Sequence, residues 1–141
     1  MDAKERALKY VAIRMRSEWE MRVYLQKKGH TEEEIKEAIG YLYHYQYLDD
    51  TAFCRAYIRD KILLNPCGRN KLFADLRKKG VQSSIIKEAF AELFDKDTEL
   101  EMAKKLLEKQ IRLENDPIKQ AQFLKNKGFS YGIISTLVDF E

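Results

Sequence analysis

Leu25-Gln26-Lys27-Lys28-Gly29, Leu76-Arg77-Lys78-Lys79-Gly80 and Leu124-Lys125-Asn126-Lys127-Gly128 are three versions of one phrase. In each, an isoleucine follows six residues after the glycine, at Ile35, Ile86 and Ile134, and the glycines stand 51 and 48 residues apart. Self-similarity at such a period marks a repeat architecture, and the period is long enough for three short helices with their turns. The leucine belongs to the buried side of a helix, and the lysines suit the negative end of the helix dipole. The glycine takes the left-handed conformation that stops the helix.

The residues around each phrase supply the other helices of a unit. In the first unit Ala7, Leu8, Val11, Ala12 and Met15 recur at helical spacing, which predicts a first helix. Ser17 with Glu20 and Thr31 with Glu34 are capping boxes that open the second and third helices, the third burying Ile35, Ala38, Ile39 and Leu42. The acidic run Glu32-Glu33-Glu34 then sits at the positive end of that third helix. In the second unit Asp50 or Thr51 caps a helix that buries Phe53, Ala56 and Tyr57 and breaks at Asn65-Pro66, since proline disfavours helix at the residue before it. Its second helix carries Leu72 and Leu76, and Ser83 or Ser84 caps a third through Ile86, Ala89, Phe90 and Leu93. In the third unit Thr98 with Glu101 reads as a capping box, followed by a stripe of Leu100, Ala103 and Leu107. Asp116-Pro117 opens the next helix, and Ser130 caps the last. The alternation Tyr41, Tyr43, Tyr45, Tyr47 has the period of a strand but continues the stripe of the third helix, so it reads as helix end and turn. The expected fold is all-α, a tandem array of three three-helix repeats over residues 1–49, 50–94 and 95–141, elongated and open to curvature. Units this small stack to bury apolar surface.

Composition limits the function. With 45% hydrophobic and 35% charged residues in 141, the chain is too apolar for a disordered tail and too polar for a membrane protein. It lacks the roughly 18-residue apolar run of a spanning helix, and its first residues form no signal core. A cytoplasmic, monomeric protein is expected. Cys54 and Cys67 are too few for a disulfide scaffold and neither has metal-binding spacing. Net charge is only +3, but residues 51–80 carry eight Lys and Arg against two Asp, while residues 31–50 carry one against six. A basic middle attracts phosphates or acidic protein surfaces.

No convergent set of catalytic groups emerges. His30 and His44 lack metal partners, Asp49-Asp50 reads as a helix cap, and no phosphate-binding glycine loop or hydrolase motif is present. The chain is expected not to be an enzyme and to need no cofactor or metal. Trp19, Tyr24 and the Tyr41–Tyr47 cluster read as core plugs at helix junctions. At about 100° per residue, Arg55 and Arg59 fall opposite Phe53 and Tyr57, and Lys71 and Lys78 fall away from Leu72 and Leu76. With Arg69 and Arg77 they compose a candidate basic contact surface on the second unit. As a stand-alone DNA-binding module, the alternative, the chain would need a groove-reading helix, yet the third helix of unit one is acidic and that of unit two sets Glu88 beside Lys87. An adaptor for another protein, with no DNA involved, is a third class.

Several of these residues together resemble the bacterial RecX family of regulatory proteins. They are Arg14-Met15-Arg16-Ser17-Glu18, Leu25, Lys28-Gly29, Tyr47-Leu48-Asp49-Asp50 with Phe53 and Tyr57, then Gly68, Leu72, Leu76 and Lys79-Gly80. The match covers residues 5–93. It is weaker over 99–140, where Asn126 replaces a lysine and Asp116-Pro117 occupies the turn. The resemblance implies tandem three-helix repeats that lodge in the groove of the RecA nucleoprotein filament on single-stranded DNA. It also implies inhibition of RecA ATPase, strand exchange and co-protease activity. Arg55, Arg59, Arg69, Lys71, Arg77 and Lys78 are the expected contacts to RecA or to single- or double-stranded DNA, on charge clustering alone.

Overall fold

The structure, a computed structural model, describes residues 1–111 and 115–139. Among these, every regular element is helical: α1 (Ala3–Ile13), α2 (Glu18–Lys27), α3 (Glu32–His44), α4 (Asp50–Leu64), α5 (Arg69–Lys78), α6 (Ser83–Leu93), α7 (Lys96–Ile111), α8 (Pro117–Asn126) and α9 (Tyr131–Leu137). None of them is long and apolar enough to cross a membrane. The helices pack in threes, chiefly α1 with α3, α4 with α6, and α7 with α8.

The repeated phrase has the same structure each time. Gly29, Gly80 and Gly128 have φ of +86°, +82° and +92°. The residue after each glycine donates its N–H back to the leucine that opens the phrase, His30 to Leu25, Val81 to Leu76 and Phe129 to Leu124, at 3.1–3.2 Å. With the glycine N–H bonds to Gln26, Arg77 and Lys125 this is a Schellman stop. Leu25, Leu76 and Leu124 are fully buried beneath it.

Both capping boxes at the starts of α2 and α3 form as the sequence predicts, and Ile35, Ala38, Ile39 and Leu42 are the buried residues of α3. Elsewhere the capping differs. Asp49, one residue before the expected cap, opens α4 by accepting from the Thr51 and Ala52 N–H groups. α6 begins at Ser83 behind Gln82 with no side-chain cap. At α7, Asp95 Oδ1 takes the Thr98 N–H at 2.8 Å, so Thr98 lies inside the helix and not at its cap. Met15 lies beyond α1 and is exposed, while Ala3 and Ala7 are the helix's buried residues. α4 buries Phe53, Cys54 and Ile58, and Ala56 and Tyr57 are only half-buried. The face is rotated because α4 turns that side to α6, leaving the Tyr57 ring under Lys61 and Lys79.

The array has two cores. One belongs to unit one, around Met21, Leu25, Ile35 and Leu42. The other runs unbroken from Phe53 to Val138 through units two and three. The accessible surface is 9065 Å², against roughly 7,600 Å² expected for a compact monomer of this mass. The excess is what a line of small units gives.

Candidate functional site

The joints between units set where each basic side chain stands, and one joint occurs twice. The start of the second helix of one unit rests on the glycine turn of the next. At the first joint Ser17 Oγ caps α2 and also donates to the Lys79 carbonyl at 2.6 Å, and a Cβ on Gly80 would overlap Trp19 Cβ. At the second, Gly68 stands where Ser17 does. Its N–H donates to the Lys127 carbonyl at 2.6 Å, the Asn70 N–H donates to that of Gly128 at 3.0 Å, and Lys71 packs on Gly128. The missing side chain at Gly68 brings the two backbones together, which is how units two and three merge their cores.

The first joint is polar. Glu20 accepts from Arg14 at 2.8 Å and from the Ser17 N–H at 3.1 Å, and lies 3.6 Å from Lys79 Nζ. Burial pushes the Glu20 carboxyl up, but these cationic and amide donors outweigh it and hold it below its ordinary range. Across the joint, Asp50 Oδ1 accepts the Glu18 N–H at 3.0 Å. Burial raises its carboxyl, and neighbouring Glu18 and Asp49 add to the rise.

The six candidate cations divide into two groups. Arg59, Lys71 and Lys78 are exposed and make no hydrogen bond or ion pair among the described residues. The other three are engaged. Arg55 pairs with Glu92 at 2.8 Å, strapping α4 to α6. Arg77 donates to the Val81 carbonyl at 2.9 Å. Arg69 is partly exposed and its side chain is engaged. Its guanidinium lies 5.3 Å from the Phe90 ring centroid, donates to the Phe94 carbonyl at 2.8 Å and lies 3.5 Å from Glu99, while the Arg69 backbone N–H donates to Glu99 at 2.7 Å. Glu99 on α7 is nearly fully buried, so Arg69 joins unit two to unit three through a shielded carboxylate.

Two features escape the sequence reading. Trp19, Tyr43, Tyr45 and Tyr47 are 40–54% exposed, where core plugs were expected, and Trp19 and Tyr43 line the surface at the first joint. Tyr43 donates to Glu18 at 2.7 Å, and burial first, then that bond, raises its phenol. A cleft of about 520 Å³ also opens beside Arg69, between α5, α6 and the head of α7, with Lys87 and Lys96 among its lining residues. The polar spacing of Tyr43, Tyr45 and Tyr47 past the last buried residue of α3 was the available signal for the first. The cleft had none, since its walls come from helices far apart in sequence. Cys54 and Cys67 are free and buried, the Cys54 thiol being pushed up to about 11 by burial and then by Asp50.

Comparison with known proteins agrees with this architecture. The model of the first three-helix domain of RecX matches residues 3–42, and that of the second three-helix domain matches residues 49–89. The regulatory protein RecX of Bacillus subtilis (strain 168) is 39% identical, the alignment covering 95% of this chain and 53% of that protein. RecX of Clostridium botulinum (strain Alaska E43 / Type E3) is 33% identical over 96% of this chain and 66% of its own length. The chain therefore spans about half the length of the Bacillus relatives it matches. A crystal structure of RecX from Lactobacillus salivarius superposes with a TM-score of 0.87 at 27% identity, covering 96% of this chain and 91% of that one. With both three-helix domains matched in order and the fold reproduced, the chain belongs to the RecX family of regulatory proteins.

Proposed function

We propose that the chain regulates the RecA recombinase by lodging on the RecA filament formed on single-stranded DNA, inhibiting its ATPase, strand-exchange and co-protease activities. The reading is carried by membership of the RecX family across the first two units. The repeated joint supports it, because a line of small units related by one recurring contact can follow a helical groove. In this reading the three units over residues 1–49, 50–94 and 95–141 meet successive RecA protomers as a monomer in the cytoplasm, with no cofactor and no catalysis. The free cations Arg59, Lys71 and Lys78 supply contacts to filament carboxylates or DNA phosphates. Arg55, Arg69 and Arg77 hold the surface that presents them.

The test is a charge reversal that spares the engaged arginines. The triple variant Arg59→Glu, Lys71→Glu, Lys78→Glu is expected to keep the helical circular dichroism of the parent. It should need at least ten times more protein to halve RecA ATP hydrolysis on single-stranded DNA. Unchanged inhibition would remove these residues from the contact. Absent inhibition by the parent chain, together with strong salt-sensitive binding to DNA alone, would favour the stand-alone DNA-binding alternative.

A further inference from the structure

A groove of about 570 Å³ opens between α7 and the end of α4. Its apolar lining comes from Met102 and Leu106 on α7 and from Ile62, Leu63 and Pro66 at and just after the end of α4. Leu63 and its neighbour Leu64 are 78% and 82% exposed. A single exposed leucine is ordinary on a protein surface, but two in succession beside an apolar groove extend it into a patch that water covers at a cost. Nothing in the fold of the single chain uses that patch.

Along the same groove α7 carries a row of charge. Asp97, Glu101, Lys105 and Lys109 follow one another at every fourth residue, all line the groove and all are exposed. Residues four apart are neighbours on a helix surface, so the four make one row, two acids and then two bases. None of the four side chains makes a hydrogen bond or ion pair among the described residues. The helix dipole favours acids first and bases last, which accounts for the order but not for the apolar patch beside it.

Turned end for end, this row is its own complement. About a two-fold axis level with Ala103, Asp97 of one copy meets Lys109 of another and Glu101 meets Lys105, and the same pairs recur on the far side of the axis. A slide of one turn either way sets Glu101 against Glu101 or Lys105 against Lys105, so one register is selected. Self-complementarity of this kind is what an isologous contact requires. We propose that this face binds a second copy of the chain, through an antiparallel pair of α7 helices that covers Leu63 and Leu64 of each. Removal of the leucines from water drives the association, and the charges fix its direction and register. A segment of another protein would match only if it carried the reverse order of charges, which a second copy carries already. The dimer is a state of the free chain and the monomer meets the filament, so the pairing is independent of RecA regulation.

The experiment is sedimentation velocity on the intact chain without RecA, from about 5 to about 300 μM, with circular dichroism to confirm that each variant keeps the parent's helicity. The weight-average mass of the parent is expected to rise with concentration from 16.7 kDa towards twice that value. Lys105→Glu with Lys109→Glu makes the row wholly acidic, and Asp97→Lys with Glu101→Lys makes it wholly basic. Each double variant alone should stay monomeric, and an equimolar mixture of the two should recover the dimer. Leu63→Ser with Leu64→Ser, which touches two exposed side chains and leaves every charge in place, should also stay monomeric. A parent that is monomeric across the range would overturn the proposal and leave the groove to a segment of another protein. Self-association of any double variant equal to that of the parent would overturn it too, as would a mixture of folded acidic and basic variants that stays monomeric.

Discussion

At the scale of the residue, three glycines have the same backbone and unequal surroundings. Gly29, Gly80 and Gly128 are all left-handed, so alanine at any of them meets the same strain of about 1 kcal/mol. Beyond that they part. A Cβ on Gly29 meets nothing within 4 Å, whereas one on Gly80 would overlap Trp19 and one on Gly128 would overlap Lys71. Gly29→Ala should therefore cost about 1 kcal/mol in urea unfolding, and Gly80→Ala and Gly128→Ala about 2–4 kcal/mol each. Equal costs at all three would mean that the joints do not form as described. The stop at these glycines was legible in the sequence because it depends on local backbone alone. Their second role was not, since it depends on where the next unit lands. The same limit separates the arginines. A helical wheel tells which side of its own helix Arg55 or Arg69 occupies, but Glu92 arrives from α6 and Glu99 from α7 to claim them.

At the scale of the element, capping was read correctly where both halves of a box compete with nothing else, at Ser17 with Glu20 and at Thr31 with Glu34. Thr98 with Glu101 has the same spelling, but Asp95 sits three residues earlier and its charged oxygen captures the Thr98 N–H at 2.8 Å. A carboxylate at the positive end of a helix dipole outbids a hydroxyl there. The capping Glu20 has a wider task, since it also ties α2 to Lys79 across the first joint. Its carboxyl is held below its ordinary 4.5, so the stabilisation is fully present above pH 4.5 and fades as pH falls through the lowered folded-state value. Asp50, raised mainly by burial, acts in the opposite sense across the same joint, because acidification relieves its buried charge. Glu20→Gln separates the two. At pH 7 it should lower stability by about 1–2 kcal/mol, and between pH 4.5 and pH 3 the gap from the parent should narrow. A gap that stays constant with pH would show that the Glu20 charge does not hold the joint.

At the scale of the whole molecule, the repeated phrase specifies the all-helical tandem array, because a period near 50 residues and three matching stops leave few other folds. It did not reveal that units two and three share a core while unit one keeps its own. That asymmetry turns on Gly68 standing where unit one has Ser17, one hydroxyl bridging a gap that a glycine closes. The first joint is thus the polar seam of the molecule, rimmed by the exposed Trp19 and Tyr43, and the second is continuous apolar packing. A line of units joined this way suits a long helical groove better than a single compact pocket, in keeping with the proposed regulation of the RecA filament. Its most direct test is the rate of ATP hydrolysis by RecA on single-stranded DNA as the intact chain is titrated. Inhibition is expected at well below one copy per RecA, each bound molecule affecting many protomers. Hydrolysis that stays unchanged up to one copy per RecA would contradict it.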